Sequence, residues 1–174
     1  MDIATSRGMR AGLLATALLL AARASPAVAG EPAYVVLSAG ATGIWHHNSH
    51  VQHTVAIGSA EYRTRSDLWR GVKPLLGALA TSDGSAYAHA GFYRDFEIGA
   101  LWILTPHGSA GVYSHGDKND LGSTGELQTG VDLQRRLDNG WRVGVTLRHL
   151  SNGGSGHYNA GIATLALLVA VPLR

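Results

Sequence analysis

The sequence predicts an all-β protein, an eight-stranded antiparallel transmembrane barrel, on three observations. Eight segments of period-2 patterning recur with turn residues between them, at roughly 32–45, 51–64, 68–80, 85–93, 96–105, 122–135, 141–151 and 161–173. In the clearest of them Trp141, Val143, Val145 and Leu147 alternate with Arg142, Thr146 and Arg148, so one face is apolar and the other polar. The composition, 23 glycines with only 15% charged residues, suits a barrel that turns an apolar wall outward.

The first thirty residues stand apart. Arg7 and Arg10 precede the apolar run Ala11–Ala22, and the small-residue site Ala27-Val28-Ala29 follows, the pattern of a secretory signal peptide. The run is well short of the roughly 20 residues that a membrane-spanning helix requires. Residues 1–29 are therefore expected to be a leader, and 30–174 one barrel domain. Cleavage would remove three of the 14 basic and one of the 12 acidic residues, leaving 11 of each. A neutral mature chain gives no electrostatic reason to expect a nucleic-acid partner. Without cysteine it can form neither a disulfide nor a lipid anchor on cysteine, so packing or membrane insertion has to hold it together.

Segment 126–134 repeats the alternation of 141–151, with Leu127, Val131 and Leu133 on one face and Glu126, Gln128, Asp132 and Gln134 on the other. Two carboxylates thus share an interior with two arginines of the next strand. A membrane barrel encloses such charges; the alternative is a soluble antiparallel barrel with a solvated polar face. The Asn-Gly turn in "LDNGW" at 137–141 is a tight hairpin, and "PHGSAGVYSHGDKNDL" at 106–121 is expected to be a long external loop. With short turns on the periplasmic side, residues 46–50, 81–84, 106–121 and 152–160 fall outside. Trp45, Trp69, Trp102 and Trp141 are expected in the interfacial belts. The cluster His46, His47, His50 and His53 is conceivable as a metal site, although no carboxylate or cysteine completes a ligand set and a solvated loop accounts for it.

Odd numbering puts His149 and Ser151 on the outward, lipid-facing side at the external end of the seventh predicted strand. Serine is a weak nucleophile until a base takes its proton, and residues two apart on a strand set base and nucleophile side by side. The motif alone is weak. Together with its surroundings, "LGSTGELQTGVDLQRRLDNGWRVGV" followed by "LRHLSNGGSGHYNAGI", it resembles the lipid A 3-O-deacylase (PagL) family of outer-membrane enzymes. The likeness is specific over about 121–162 and general upstream, where "ILTPHGSAGVY" is similar. It implies an outer-membrane serine esterase that removes the 3-O-linked acyl chain from lipid A of lipopolysaccharide, with its active site facing the outer leaflet and with no cofactor or metal. His149 is then the general base, Ser151 the nucleophile, and Asn152 and Gly154 contribute to the oxyanion hole. Asn159, Gly161 and Ile162 match the element that follows.

One departure is chemical. The family carries a glutamate after that element to orient the histidine, and this sequence has Ala163. If Ser151 pairs with Gly161 across the hairpin, His149 pairs with Ala163. Glu126 and Asp132 belong to the interior face, Glu97 lies across the barrel, and only Asp117 or Asp120 in the third loop could bend toward His149. His157 is a surface residue near the candidate site. A second reading therefore stands beside the first: a catalytically weak or inactive barrel of the same family with a lipid-binding or structural role.

Overall fold

The computed structural model describes residues 31–45 and 53–173. The expected leader and His46, His47 and His50 lie outside the described residues. Nine strands form in chain order: β1 (Ala33–Thr42), β2 (Val55–Arg63), β3 (Lys73–Thr81), β4 (Ala86–Tyr93), β5 (Phe96–Ile98), β6 (Trp102–Ser114), β7 (Gly125–Arg136), β8 (Arg142–Ser151) and β9 (Ile162–Leu173). Neighbours pair antiparallel, β1 with β9 and β4 with β6, and so close a ring of eight strands. The three-residue β5 is the continuation of β4 at one rim. Each of the eight ring strands therefore has a partner on both sides, the condition for crossing lipid with strands.

The alternation predicted for β8 holds. Arg142, Thr146, Leu150 and Arg148 are buried, while Val145, Leu147 and His149 are exposed. Around the barrel the pattern inverts that of a soluble core. Leu167 is 71% and Val112 63% exposed, whereas Asp132 is 0% and Glu61 1% exposed. An apolar wall with charges inside is stable only when lipid covers the wall.

Two expectations for the middle of the chain are overturned. Segment 96–105 is not one strand: Phe96, Glu97 and Ile98 turn at Gly99 and pair back onto Leu104, Ile103 and Trp102. Residues 106–121 are not an external loop either, because β6 runs on to Ser114 between β4 and β7. Proline and glycine in this stretch read as loop punctuation, yet each has a place in the sheet. Pro106 accepts the Arg94 N–H at 3.2 Å and has no N–H to return, and the partner strand is interrupted there, between β4 and β5. At Gly111 a Cβ would lie 2.1 Å from the Ala88 carbonyl oxygen, so only glycine lets the strands approach. The external loop shrinks to 115–124.

The interior is filled. Toward the middle and the inner rim, Arg63 Nη2 lies 2.8 Å from both Glu61 Oε2 and Asp132 Oδ2, Arg148 Nη1 is 3.0 Å from Glu61 Oε1, and His107 Nε2 is 3.2 Å from Asp132 Oδ1. At the inner rim Arg142 pairs with Glu31 and Asp95. The sharing of carboxylates and arginines expected between β7 and β8 is thus real as a shared interior but not as pairing: Asp132 meets Arg63 of β2, and among the described residues Glu126 pairs with no arginine. The external half is closed by an apolar cluster that includes Ile57, Leu79, Tyr87, Tyr113, Leu121, Leu150 and Ile162. A cavity of about 20 Å³ among Thr42, Gln128, Arg148 and Thr164 has room for roughly one water. A lipid chain does not fit in that cavity.

Candidate active site

The site is assembled at the external ends of β7, β8 and β9. The hairpin around 152–161 has the register that the sequence predicts. Leu150 pairs with Ile162 and His149 with Ala163, residue numbers summing to 312. On the other side the tight turn is closed by the Leu137 N–H to the Trp141 carbonyl at 2.8 Å, and the β7–β8 register that follows sets His149 beside Thr129 and Ser151 beside Leu127. His149 is exposed and Ser151 half-buried. Ten residues of β8, roughly 3.3 Å each and tilted by roughly 40°, rise roughly 25 Å, so Ser151 stands near the outer limit of the apolar band.

Gly161 ties the pair together. Its φ of +30° is strained for other residues, and a Cβ built there would lie 2.9 Å from His149 Cε1, 3.3 Å from His149 Nε2 and 3.9 Å from Ser151 Cβ. The imidazole edge and the serine therefore converge on one point that only glycine leaves open. Among the described residues no hydrogen bond joins the two side chains; such bonds commonly tighten only when substrate is bound. Gly161 stands in the family-like element of the sequence, but its steric reason becomes visible only when β9 is laid beside β8.

The residues expected at the oxyanion hole occupy a different arrangement. Asn152 is buried, and its Nδ2 donates to the carbonyls of Leu121 at 2.9 Å and Tyr158 at 2.7 Å. Its Oδ1 accepts the Gly154 N–H at 2.9 Å. Both amide hydrogens of Asn152 and the Gly154 N–H are thus committed within the loop. The N–H of Gly153, two residues from Ser151 at φ +62°, has no partner among the described residues. Sequence reasoning missed Gly153. Two successive glycines after a Ser-Asn pair were the available signal.

Among the described residues none of the carboxylates weighed for His149 bonds to it. Glu97 pairs with Arg136 at 3.0 Å on the inner rim, Asp132 lies in the interior network, and Glu126 is buried inside. Asp120 accepts the Gly122 N–H at 2.9 Å and the Tyr158 hydroxyl. Asp117 is exposed and donates its backbone N–H to Asp83 O at 3.0 Å. At position 163 itself the methyl group is buried, and the carbonyl accepts the Gly43 N–H at 2.9 Å, so β1 covers that flank. Thr129, unremarked in the sequence, is the polar side chain directly beside His149 on an otherwise apolar stretch of β7. His157 is exposed, as is His53, and among the described residues no three metal-ligating side chains come together.

Fold and site define a class: a membrane-spanning eight-stranded barrel of the outer membrane with a histidine and a serine side by side on its lipid-facing wall. The chain belongs to the lipid A 3-O-deacylase (PagL) family, whose model matches residues 33–172. Among solved structures it is similar to the outer membrane enzyme PagL, at 20% identity over 80% of this chain and 99% of that one, with a TM-score of 0.58. It is also similar to a de novo designed transmembrane β-barrel, at 10% identity over 82% and 95% of the two chains, with a TM-score of 0.52. At these identities the likeness is one of fold. A comparison with curated proteins finds no match.

Proposed function

We propose that the protein is a serine esterase of the outer leaflet that removes the 3-O-linked acyl chain from lipid A. The observation that carries this reading is the convergence of His149 Nε2 and Ser151 on Gly161, on the lipid-facing wall, in a chain of this family. Ser151 Oγ attacks the ester carbonyl while His149 takes its proton. The tetrahedral oxyanion accepts a hydrogen bond from the Gly153 N–H, presented by a turn that the Asn152 to Gly154 bond shapes. The sugar oxygen leaves with the proton held by His149, and the acyl chain remains on Ser151. Water, deprotonated by His149, then releases the fatty acid and restores the serine. The scheme requires no metal or cofactor, and residues 1–29 act as the export leader of the 30–174 barrel.

Ala163 sets the rate of this enzyme low. In the serine-protease template, disabling the orienting acid lowers turnover about 10⁴-fold while oxyanion stabilisation and binding leave residual catalysis. The same alanine favours a second reading, a family barrel that binds lipid without turning it over. Digestion of purified lipid A, followed by mass spectrometry, separates the two. Loss of one 3-hydroxyacyl chain with wild type, abolished in both Ser151→Ala and His149→Ala, is expected. Undiminished release by Ser151→Ala overturns the assignment, and inert wild type at high enzyme concentration establishes the second reading.

A further inference from the structure

The external loops 115–124 and 152–161 enclose an open groove of about 670 Å³. Ser123, Thr124, Ser155 and His157 line its walls, with Asp120 and Tyr158 between them. Tyr158 is half-buried and packs on the apolar cluster below. The Asp120 carboxylate, accepting the tyrosine hydroxyl, pushes the phenol pKa up to about 12.

The groove is built, not left over between slack loops. The His157 N–H donates to Gly122 O at 3.2 Å, and the two Asn152 bonds staple Leu121 to Tyr158. A Cβ at Gly156 would lie 2.5 Å from Gly122 O and 2.6 Å from Asn152 Nδ2, so the loops touch backbone to backbone.

Its chemistry selects a class of ligand. None of the described residues that line it is lysine or arginine, and the one carboxylate repels a phosphate. An acyl chain would cover these polar groups and offer none of them a hydrogen bond beyond those they already make within the loops. A sugar ring satisfies both demands, offering hydroxyls to Asp120 and to the serine and threonine side chains and a C–H face to the tyrosine ring. The position suits the same ligand. Leu127 pairs with Ser151, and Gly125 and Thr124, which line the groove, follow two and three residues further out. At roughly 3.3 Å per residue the groove opens roughly 7–10 Å beyond the nucleophile. An ester carried directly on a sugar has its ring within that reach.

We infer that the groove between the two loops binds a neutral sugar face of the glycolipid headgroup and so holds the ester over Ser151. The identity of the glycolipid, though not the sugar-binding chemistry of the groove, rests on the proposed function. Thr124→Trp, an exposed position, fills the groove without disturbing the staple. With the folded barrel in detergent, the ratio of kcat/KM on lipid A to kcat/KM on a sugar-free p-nitrophenyl 3-hydroxyacyl ester should fall about tenfold in Thr124→Trp and in Asp120→Asn. In the second arm a chain-free glucosamine disaccharide is titrated by NMR. Wild type should bind it, and Thr124→Trp should bind at least about tenfold more weakly. No disaccharide binding by wild type, or binding that Thr124→Trp leaves intact, overturns the inference. Wild type that hydrolyses no ester overturns the proposed activity instead, and the disaccharide arm then decides the groove alone.

Discussion

Ala163 faces His149 across the ladder, where directly opposed Cβ atoms stand roughly 4.5–5.5 Å apart, within reach of a carboxylate but not of a methyl group. Ala163→Glu should therefore raise kcat for lipid A deacylation by about 10²-fold, the acid holding the imidazole in its productive tautomer and stabilising the imidazolium. Steady-state rates of the two proteins check this; an active wild type that the substitution leaves unchanged would mean that a neighbour such as Thr129 already orients the ring. Gly161 is the converse case. Gly161→Ala puts a methyl group 2.9 Å from His149 Cε1 at a φ of +30°, so the ring has to move. A displacement of about 1 Å costs about 10²-fold in turnover, and that loss is expected in kcat while the heat-dependent gel shift of the folded barrel is retained.

At the scale of elements, the loop that carries the site is held by its neighbour. Asn152 makes three bonds, one across to Leu121 of 115–124 and two that brace 152–161 itself, and Leu121, fully buried, anchors the neighbouring loop in the apolar cluster. Each bond contributes about 1 kcal/mol, so Asn152→Ala should lower the local opening free energy of the loop by roughly 2–3 kcal/mol. Hydrogen exchange at the Gly154 and His157 amides should quicken accordingly, with the strand amides unaffected. Asn152→Asp, which keeps the acceptor for Gly154 but loses both donors, should open the loop as well. A loop whose exchange is the same in all three proteins would mean that these bonds do not hold it.

For the whole molecule the solvent is lipid outside and a packed ionic network inside. Leu147→Arg, on the outward face, should disfavour insertion by roughly 2–4 kcal/mol according to depth, whereas Thr146→Arg, one residue away and inward, is free of that lipid penalty. Folding titrations into bilayers of defined composition measure the difference; equal tolerance on both faces would contradict the assigned sidedness. Arg63→Met leaves Glu61 and Asp132 without their shared partner and should cost about 3–5 kcal/mol in the same titration, because uncompensated buried charge outweighs the lost attraction.

Much of this was legible in the residues themselves. The outward placement of His149 and Ser151 follows from a side-chain period of two, and the pairing of His149 with Ala163 follows from the hairpin, both properties of a few adjacent residues. The resemblance carried by 121–162 supplied the roles proposed for those residues and pointed to Ala163 where the family has an acid. Local signals failed where the physics was not local. Pro106 and the glycines of 106–111 mark loops in isolation, and only the neighbouring strands reveal that a missing N–H and missing side chains are tolerated there. The Arg63 to Asp132 pair joins β2 to β7 across the interior, a contact set by how the sheet closes and staggers rather than by any spacing along the chain. Closure also brought the loop 115–124 against 152–161, took the hydrogen bonds of Asn152 into the loop, and shaped the groove above Ser151. Alternation is written into each strand, but which side chains meet depends on the ring of strands as a whole.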